Sequence, residues 1–280
     1  DGDPTVFDFD SSYGSGALDL SDGQSNDSGN LTPGTYSVTE NVPPGWTLTS
    51  AICSDGSATS SIGLALGETV TCTFTNTKLG RIIIQKNAIN DSSQVFSFNN
   101  NFGNGNPATS TLVDDSAPGF ASSTFEVLPG EYAVSEDPVA GWQQESATCD
   151  AGETIESINV ASGETVTCIF VNEELAKIIL VKNTIGGNDS FDFDATGVGL
   201  PADIDLVTVG GTASSTFANL DPDNTYTIAE NVPVGWDLIS ATCTGTNTPA
   251  SITPDAGEEI TCSFTDEADA FIIVDKVTDP

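Results

Sequence analysis

A 280-residue chain with 41 acidic side chains against six basic ones, no histidine and a formal charge of −35 cannot present the basic face that nucleic acid or an anionic membrane requires. No apolar run is long enough to span a bilayer. Methionine and a signal peptide are both absent, so the sequence reads as a processed or excerpted chain. An enzyme acting on external substrates is not expected, because no cluster of acids sets one part of the chain apart.

In chain order, helical periodicity is missing and short alternating apolar runs recur throughout. The first is a phenylalanine pair, Phe7/Phe9, which returns as Phe96/Phe98 and Phe191/Phe193. Variable segments (11–30, 99–121 and 195–213) follow and read as loops. Pro-Gly turn chemistry comes next at 31–34 and 128–130, replaced by an Asp/Asn-rich turn at 220–224. Then comes Tyr-x-Val/Ile-x-Glu, ending on Glu40, Glu136 and Glu230. A Gly-Trp turn leads into a strand carrying Cys53, Cys149 or Cys243. A Gly-Glu turn leads into a closing strand carrying Cys72, Cys168 or Cys262. The three tryptophans, Trp46, Trp142 and Trp236, are spaced 96 and 94 residues apart, and both cysteine series keep those steps. A fixed period marks an array of like units. Six or seven short strands per unit, with turns between them, predict three tandem β-sandwiches and an all-β protein.

Each cysteine pair is separated by 19 positions. Without histidines or closely spaced cysteines a metal site is disfavoured, so disulfides Cys53–Cys72, Cys149–Cys168 and Cys243–Cys262 are expected. They imply an oxidising, extracellular or cell-surface location. Asn26, Asn30, Asn90 and Asn188 open Asn-x-Ser/Thr triplets that accept glycans in such a compartment.

An isoleucine-rich strand opens the second unit (81–86) and the third (177–182) but not the first. A spare copy stands at 271–276. Alternate side chains share a face, which puts Lys86 with Ile82 and Ile84, Glu136 with Tyr132 and Val134, and Asn172 with Cys168 and Phe170. Lys182, Glu230 and Asp266 follow the same logic in the third unit, and Lys276, Glu40 and Asn76 complete the series. Each unit therefore aims a lysine, a glutamate and an amide or acid at its own interior. Two arrangements satisfy this. One is a lysine near the sheet edge, snorkelling or ion-paired with the glutamate. The other is an isopeptide bond, with a desolvated neutral amine attacking the Asn or Asp carbonyl while Glu40, Glu136 or Glu230 shuttles protons.

The order Ile-x-x-x-Lys, Pro-Gly-x-Tyr-x-Val-x-Glu and a closing strand ending in Asn resembles the collagen-adhesin B-type and SpaA-like pilin domains of prokaryotic surface proteins. That resemblance implies prealbumin-like, immunoglobulin-like Greek-key sandwiches. It also implies a bonding triad of Lys86, Glu136 and Asn172 in one unit and Lys182, Glu230 and Asp266 in the next. The Gly-Trp turn and the cysteine pair depart from that pattern.

Expected domains are 1–78 (lacking its first strand), 79–175 and 176–269, with 270–280 as a donor strand. The leading functional expectation is a structural subunit of an extracellular filament, pilus or stalk, a homopolymer whose copies join head to tail by strand donation. The alternatives are a longer tandem protein continuing past residue 280, a terminal strand that frays or folds back, and a surface adhesin that binds through the variable segments. No cofactor is required. Asp279, Asp1 and Asp3 would cluster at the joint as oxygen ligands suited to Ca²⁺, with Asp8/Asp10, Asp192/Asp194 and Asp221/Asp223 as further acidic candidates.

Overall fold

The computed structural model describes residues 2–14, 18–90, 92–115, 120–150 and 152–277. Among them every regular element is a strand, and none is a helix that could cross a membrane. The second and third units share one plan. A four-stranded sheet runs flanking strand, opening strand, closing strand, tryptophan strand: Ala121–Val127, Gly80–Ala88, Thr165–Glu174 and Trp142–Cys149 in the second unit. In the third unit they are Thr212–Leu220, Ala176–Ile185, Glu259–Ala268 and Trp236–Cys243. A three-stranded sheet packs against it, with the phenylalanine strand (Val95–Asn100 or Ser190–Thr196) at its centre. Its neighbours are the glutamate strand (Val134–Glu136 or Thr227–Asn231) and a third strand (Thr109–Val113 or Asp203–Val207). The third strand lies inside a segment read from sequence as loop; in the first unit Leu18–Leu20 does the same.

Alternation fills the space between the sheets. Ile82, Ile84, Phe96, Phe98 and Phe170 are completely buried in the second unit, as are Ile178, Leu180, Phe191 and Phe193 in the third. Edge-on aromatic contacts cross the core at matching places. Phe7, Phe96 and Phe191 meet Trp46, Trp142 and Trp236 at 5.2 Å between ring centroids, a favoured aromatic geometry. The Gly-Trp turns need glycine: Gly45, Gly141 and Gly235 sit at φ of 82°, 82° and 93°, where a side chain is strained. Gly80 is needed for another reason, because a Cβ there would lie 2.3 Å from Val160 Cγ1.

The opening strand is central. It pairs antiparallel with the flanking strand, Lys86 opposite Ala121, and parallel with the closing strand, Lys86 opposite Phe170. Among the described residues the first unit has neither the opening nor the flanking strand. Its closing strand (Cys72–Lys78) pairs only with its tryptophan strand (Trp46–Cys53), and residues 21–33 form no strand. The reason is topological: the flanking strand's only partner in that sheet is the opening strand. The effect on packing is direct. Val70, Cys72 and Phe74 are only half-buried, whereas their counterparts Val166, Cys168 and Phe170 are fully buried. The first unit's core reduces to Phe7, Phe9, Val38, Cys53 and Ile62 with partly buried neighbours.

Chain handover is the same at each unit's end. One residue separates the closing strand from the next opening strand, and its amide donates to the carbonyl of the Gly-Trp glycine: Leu79 to Gly45 and Leu175 to Gly141, both at 2.8 Å. Asp269 repeats this bond to Gly235 at 2.9 Å. Residues 270–277, the described part of the expected donor strand 270–280, then form no strand within this chain; Ile272, Ile273 and Val274 are about nine-tenths exposed.

Candidate functional site

The three disulfides are formed as Cys53–Cys72, Cys149–Cys168 and Cys243–Cys262. In each, the two cysteines stand directly opposite on the tryptophan and closing strands. Each bond staples that strand pair beside the polar cluster described next.

In the second unit, strand alternation carries Lys86 into the core with no exposure. Its ammonium donates to Asn172 Oδ1 at 2.8 Å and to the Asn87 and Phe170 carbonyls at 3.0 and 3.3 Å. It lies 4.1 Å from the Phe96 ring centroid, a cation–π arrangement. Glu136 Oε1 stands 3.6 Å away, an ion pair longer than a hydrogen bond. Burial lowers the Lys86 pKa, against the opposing pull of Glu136. Burial likewise raises that of Glu136, against Lys86 and Asn172. Both shifts favour the neutral forms, as desolvation does for any buried ion. In the third unit Lys182, Glu230 and Asp266 are all fully buried. Lys182 contacts both carboxylates and lies 4.1 Å from the Phe191 ring centroid. Burial raises the Glu230 pKa, with Lys182 opposing.

In the first unit Asn76 Nδ2 donates to Glu40 Oε1 at 2.6 Å, so amide and acid are assembled. Among the described residues no lysine joins this pair; Lys78 is engaged with Asp3 instead. Asn76 Oδ1, the equivalent of the atom that accepts from Lys86 in the second unit, is buried without a hydrogen-bond partner, as is Glu40 Oε2. Burial raises the Glu40 pKa. Lys276 is exposed and lies far along the chain in the unpaired segment. Within one chain the structure therefore brings two of the three expected triads together and leaves the remaining one open.

Two contributors escaped the sequence. Asp114, almost completely buried, accepts from the Ala88 amide at 2.8 Å and its charge favours the protonated Lys86. No motif marks it, and the equivalent position in the third unit is Thr208, which accepts from the Asp189 amide. A β-bulge also recurs next to each acceptor: the register slips between Leu48 and Ser50, Gln144 and Ser146, and Leu238 and Ser240. Such an extra residue re-aims neighbouring side chains.

The acidic candidates have other engagements. Asp279 and Asp1 lie outside the described residues. Asp3 pairs with Lys78 at 2.9 Å and accepts from Thr5, contacts that lower its pKa to about 2. Asn41 bridges Asp8 and Asp10, and Asn231 bridges Asp192 and Asp194. Asp221 caps its own turn, while Asp223 converges on Glu145 and Glu173 of the second unit. Asn26, Asn30, Asn90 and Asn188 are exposed.

Comparisons with known proteins bear on the fold. No curated protein matches the chain. Among solved structures, the Bacillus anthracis TIE protein is 16% identical with a TM-score of 0.30; the match covers 94% of this chain and 47% of that one, so the chain spans about half of its length. The major pilin T-13 of Streptococcus pyogenes is 15% identical over 69% of this chain and 98% of that one, TM-score 0.27. The pilus adhesin SpaC of Lactobacillus rhamnosus GG is 16% identical over 92% and 38%, TM-score 0.27. The prealbumin-like fold domain model matches three times, at residues 2–78, 82–174 and 178–268. The chain thus belongs to the SpaA-type prealbumin-like fold domain family, as three tandem copies.

Proposed function

We propose that the chain is a structural subunit of an extracellular filament or stalk, joined head to tail when residues 271–277 of one copy take the opening-strand place in the first unit of the next. The observation that carries this reading is Asn76 Oδ1, buried without a hydrogen-bond partner where its equivalent, Asn172 Oδ1, accepts from Lys86, beside a closing strand whose opening-strand edge is unpaired. Such groups are costly to leave unsatisfied, and Lys276 supplies the missing donor. The segment fits the vacancy: Ile272, Val274 and Lys276 match Ile82, Ile84 and Lys86 in order and spacing. It leaves the third unit through the handover bond that precedes both internal opening strands. A Cβ on Gly163 or Gly257 would meet Lys78 or Glu174 of the preceding unit, whereas one on Gly67, their counterpart, would meet nothing within 4 Å.

In the second and third units the buried clusters support bond formation. Lys86 Nζ attacks Asn172 Cγ and ammonia leaves; Lys182 Nζ attacks Asp266 Cγ and water leaves. Glu136 and Glu230 take the amine proton and return it to the leaving group. With the disulfides, these bonds suit a load-bearing shaft outside the cell.

Deleting residues 271–277 tests the assembly. The full chain should form linear oligomers by electron microscopy and sedimentation, and the deletion should remain single. Fibres formed equally well by the deletion would refute the joint. Intact mass of the denatured chain tests the internal bonds: a deficit of one ammonia and one water beyond the disulfide hydrogens is expected, and an unshifted mass refutes them.

A further inference from the structure

We infer that the joint seals itself covalently, with Lys276 of one copy forming an amide to Asn76 of the next. The inference rests on the strand-donation reading above and adds to it a bond between two chains. The first unit already holds the receiving half of the chemistry. Asn76 and Glu40 are hydrogen-bonded at 2.6 Å, and Glu40 is nine-tenths buried. The carboxamide oxygen that would face the incoming amine has no partner. The desolvation around that pair is incomplete, since Asn76 is only half-buried where Asn172 and Asp266 are buried. The seated strand completes it, because Ile272 and Val274 cover the half-buried Val70, Cys72 and Phe74.

Seating also places the lysine. Parallel pairing sets Lys86 opposite Phe170 and Lys182 opposite Phe264, so the same register sets Lys276 opposite Phe74, two residues before Asn76. In the second unit that register brings the ammonium 2.8 Å from the amide oxygen and 4.1 Å from the phenylalanine ring; Phe7 waits in the first unit as the equivalent ring. Until then Lys276 is exposed to water and, in the single chain, apart from the Asn76 carbonyl it would attack. Docking would switch the chemistry on. Desolvation of the paired groups moves a proton from Lys276 to Glu40. The neutral amine attacks Asn76 Cγ and a C–N bond forms; Glu40 delivers its proton to the departing NH₂ as the old C–N bond breaks, and the Glu40 carboxylate then takes the surplus proton from the new amide nitrogen. The products are one amide and one ammonia per joint, with no oxidant or co-reactant.

The test uses assembled full-length chain, boiled in denaturant with reductant and run by size. Multiples of the chain length should survive, and digestion should yield a branched peptide joining Lys276 to Asn76 at the mass of the two parents less one ammonia. Lys276→Arg, Asn76→Ala and Glu40→Gln should each still assemble but collapse to single chains in denaturant. Asn76→Asp, which copies the third unit and loses water instead, should restore the ladder with the same product. Wild-type fibres that dissociate completely to single chains would overturn the covalent joint and leave strand donation standing. Failure of the full chain to assemble at all would remove both.

Discussion

The joint can be weighed by truncating the two side chains that should enter the core. Ile272 and Val274 are 93% and 88% exposed in the single chain, while Ile82, Ile84, Ile178 and Leu180 at the equivalent places have no exposure. Moving one such side chain from water into a core is worth about 1.5–3 kcal/mol, and truncation inside a formed core adds a cavity cost. The Ile272→Ala/Val274→Ala double variant should therefore weaken each joint by roughly 4 kcal/mol, about a thousandfold in affinity. The measurement belongs in an Asn76→Ala background, where no amide can trap the joint, with sedimentation velocity over a concentration series. Asp275 is the control, since its counterparts Gln85 and Val181 point out of the core; Asp275→Ser should shift the curve by less than a few-fold. If the double variant associates like its parent, the apolar alternation of 271–277 does not form the joint.

Further predictions concern the units themselves. Replacing Cys149 and Cys168 together by alanine should cost the second unit about 3 kcal/mol, from the loop-closure entropy of a loop this size; calorimetry showing an unchanged transition would refute that. Lys182→Met, which also removes the proposed amide to Asp266, should cost at least about 3–5 kcal/mol at neutral pH by leaving Glu230 and Asp266 buried without a partner. Because burial raises the folded-state pKa of Glu230, the folded variant binds protons that the unfolded chain does not. Its stability should therefore recover as pH falls from 7 towards 5, and a flat pH profile in chemical denaturation would contradict this. Glu173 sits mostly buried at the junction of the second and third units, its pKa raised first by burial and then by the charges of Asp223 and Glu145. The same sign applies, so thermal stability there should rise on acidification; Glu173→Gln should raise the neutral-pH melting temperature and flatten the slope.

Much of this was legible because the informative signals are local. A period-2 pattern fixes which side chains share a face wherever the pairing is regular, so Lys86, Lys182 and Asn172 could be placed inside from the sequence alone. The Tyr strand shows where that logic strains. Tyr132 and Glu136 do share the inward side, but on two strands: Gly130–Tyr132 pairs with Ile158–Val160, and Val134–Glu136 crosses to the phenylalanine strand. Partner choice is a long-range property that alternation does not encode. Asp114 was hidden for a related reason. An aspartate in a polar stretch looks like solvent-facing loop until the fold shows the Ala88 amide beneath it.

The first unit makes the same point by its deficits. The missing opening strand could be counted from the repeats, but its consequence could not. Because that strand is the central one of its sheet, its absence leaves residues 21–33 without a strand and Phe74 half-exposed as well as opening one edge. A donated strand entering there would make hydrogen bonds to the closing strand on one side and would offer residues 21–33 a partner on the other. Edge addition, by contrast, gives one row of bonds and leaves a new edge exposed. In the proposed assembly, insertion at the centre of a sheet, over a core that closes only when the strand arrives, would couple assembly to completion of the fold. Weakening the first unit's core should therefore weaken the filament even where no altered residue touches the incoming strand.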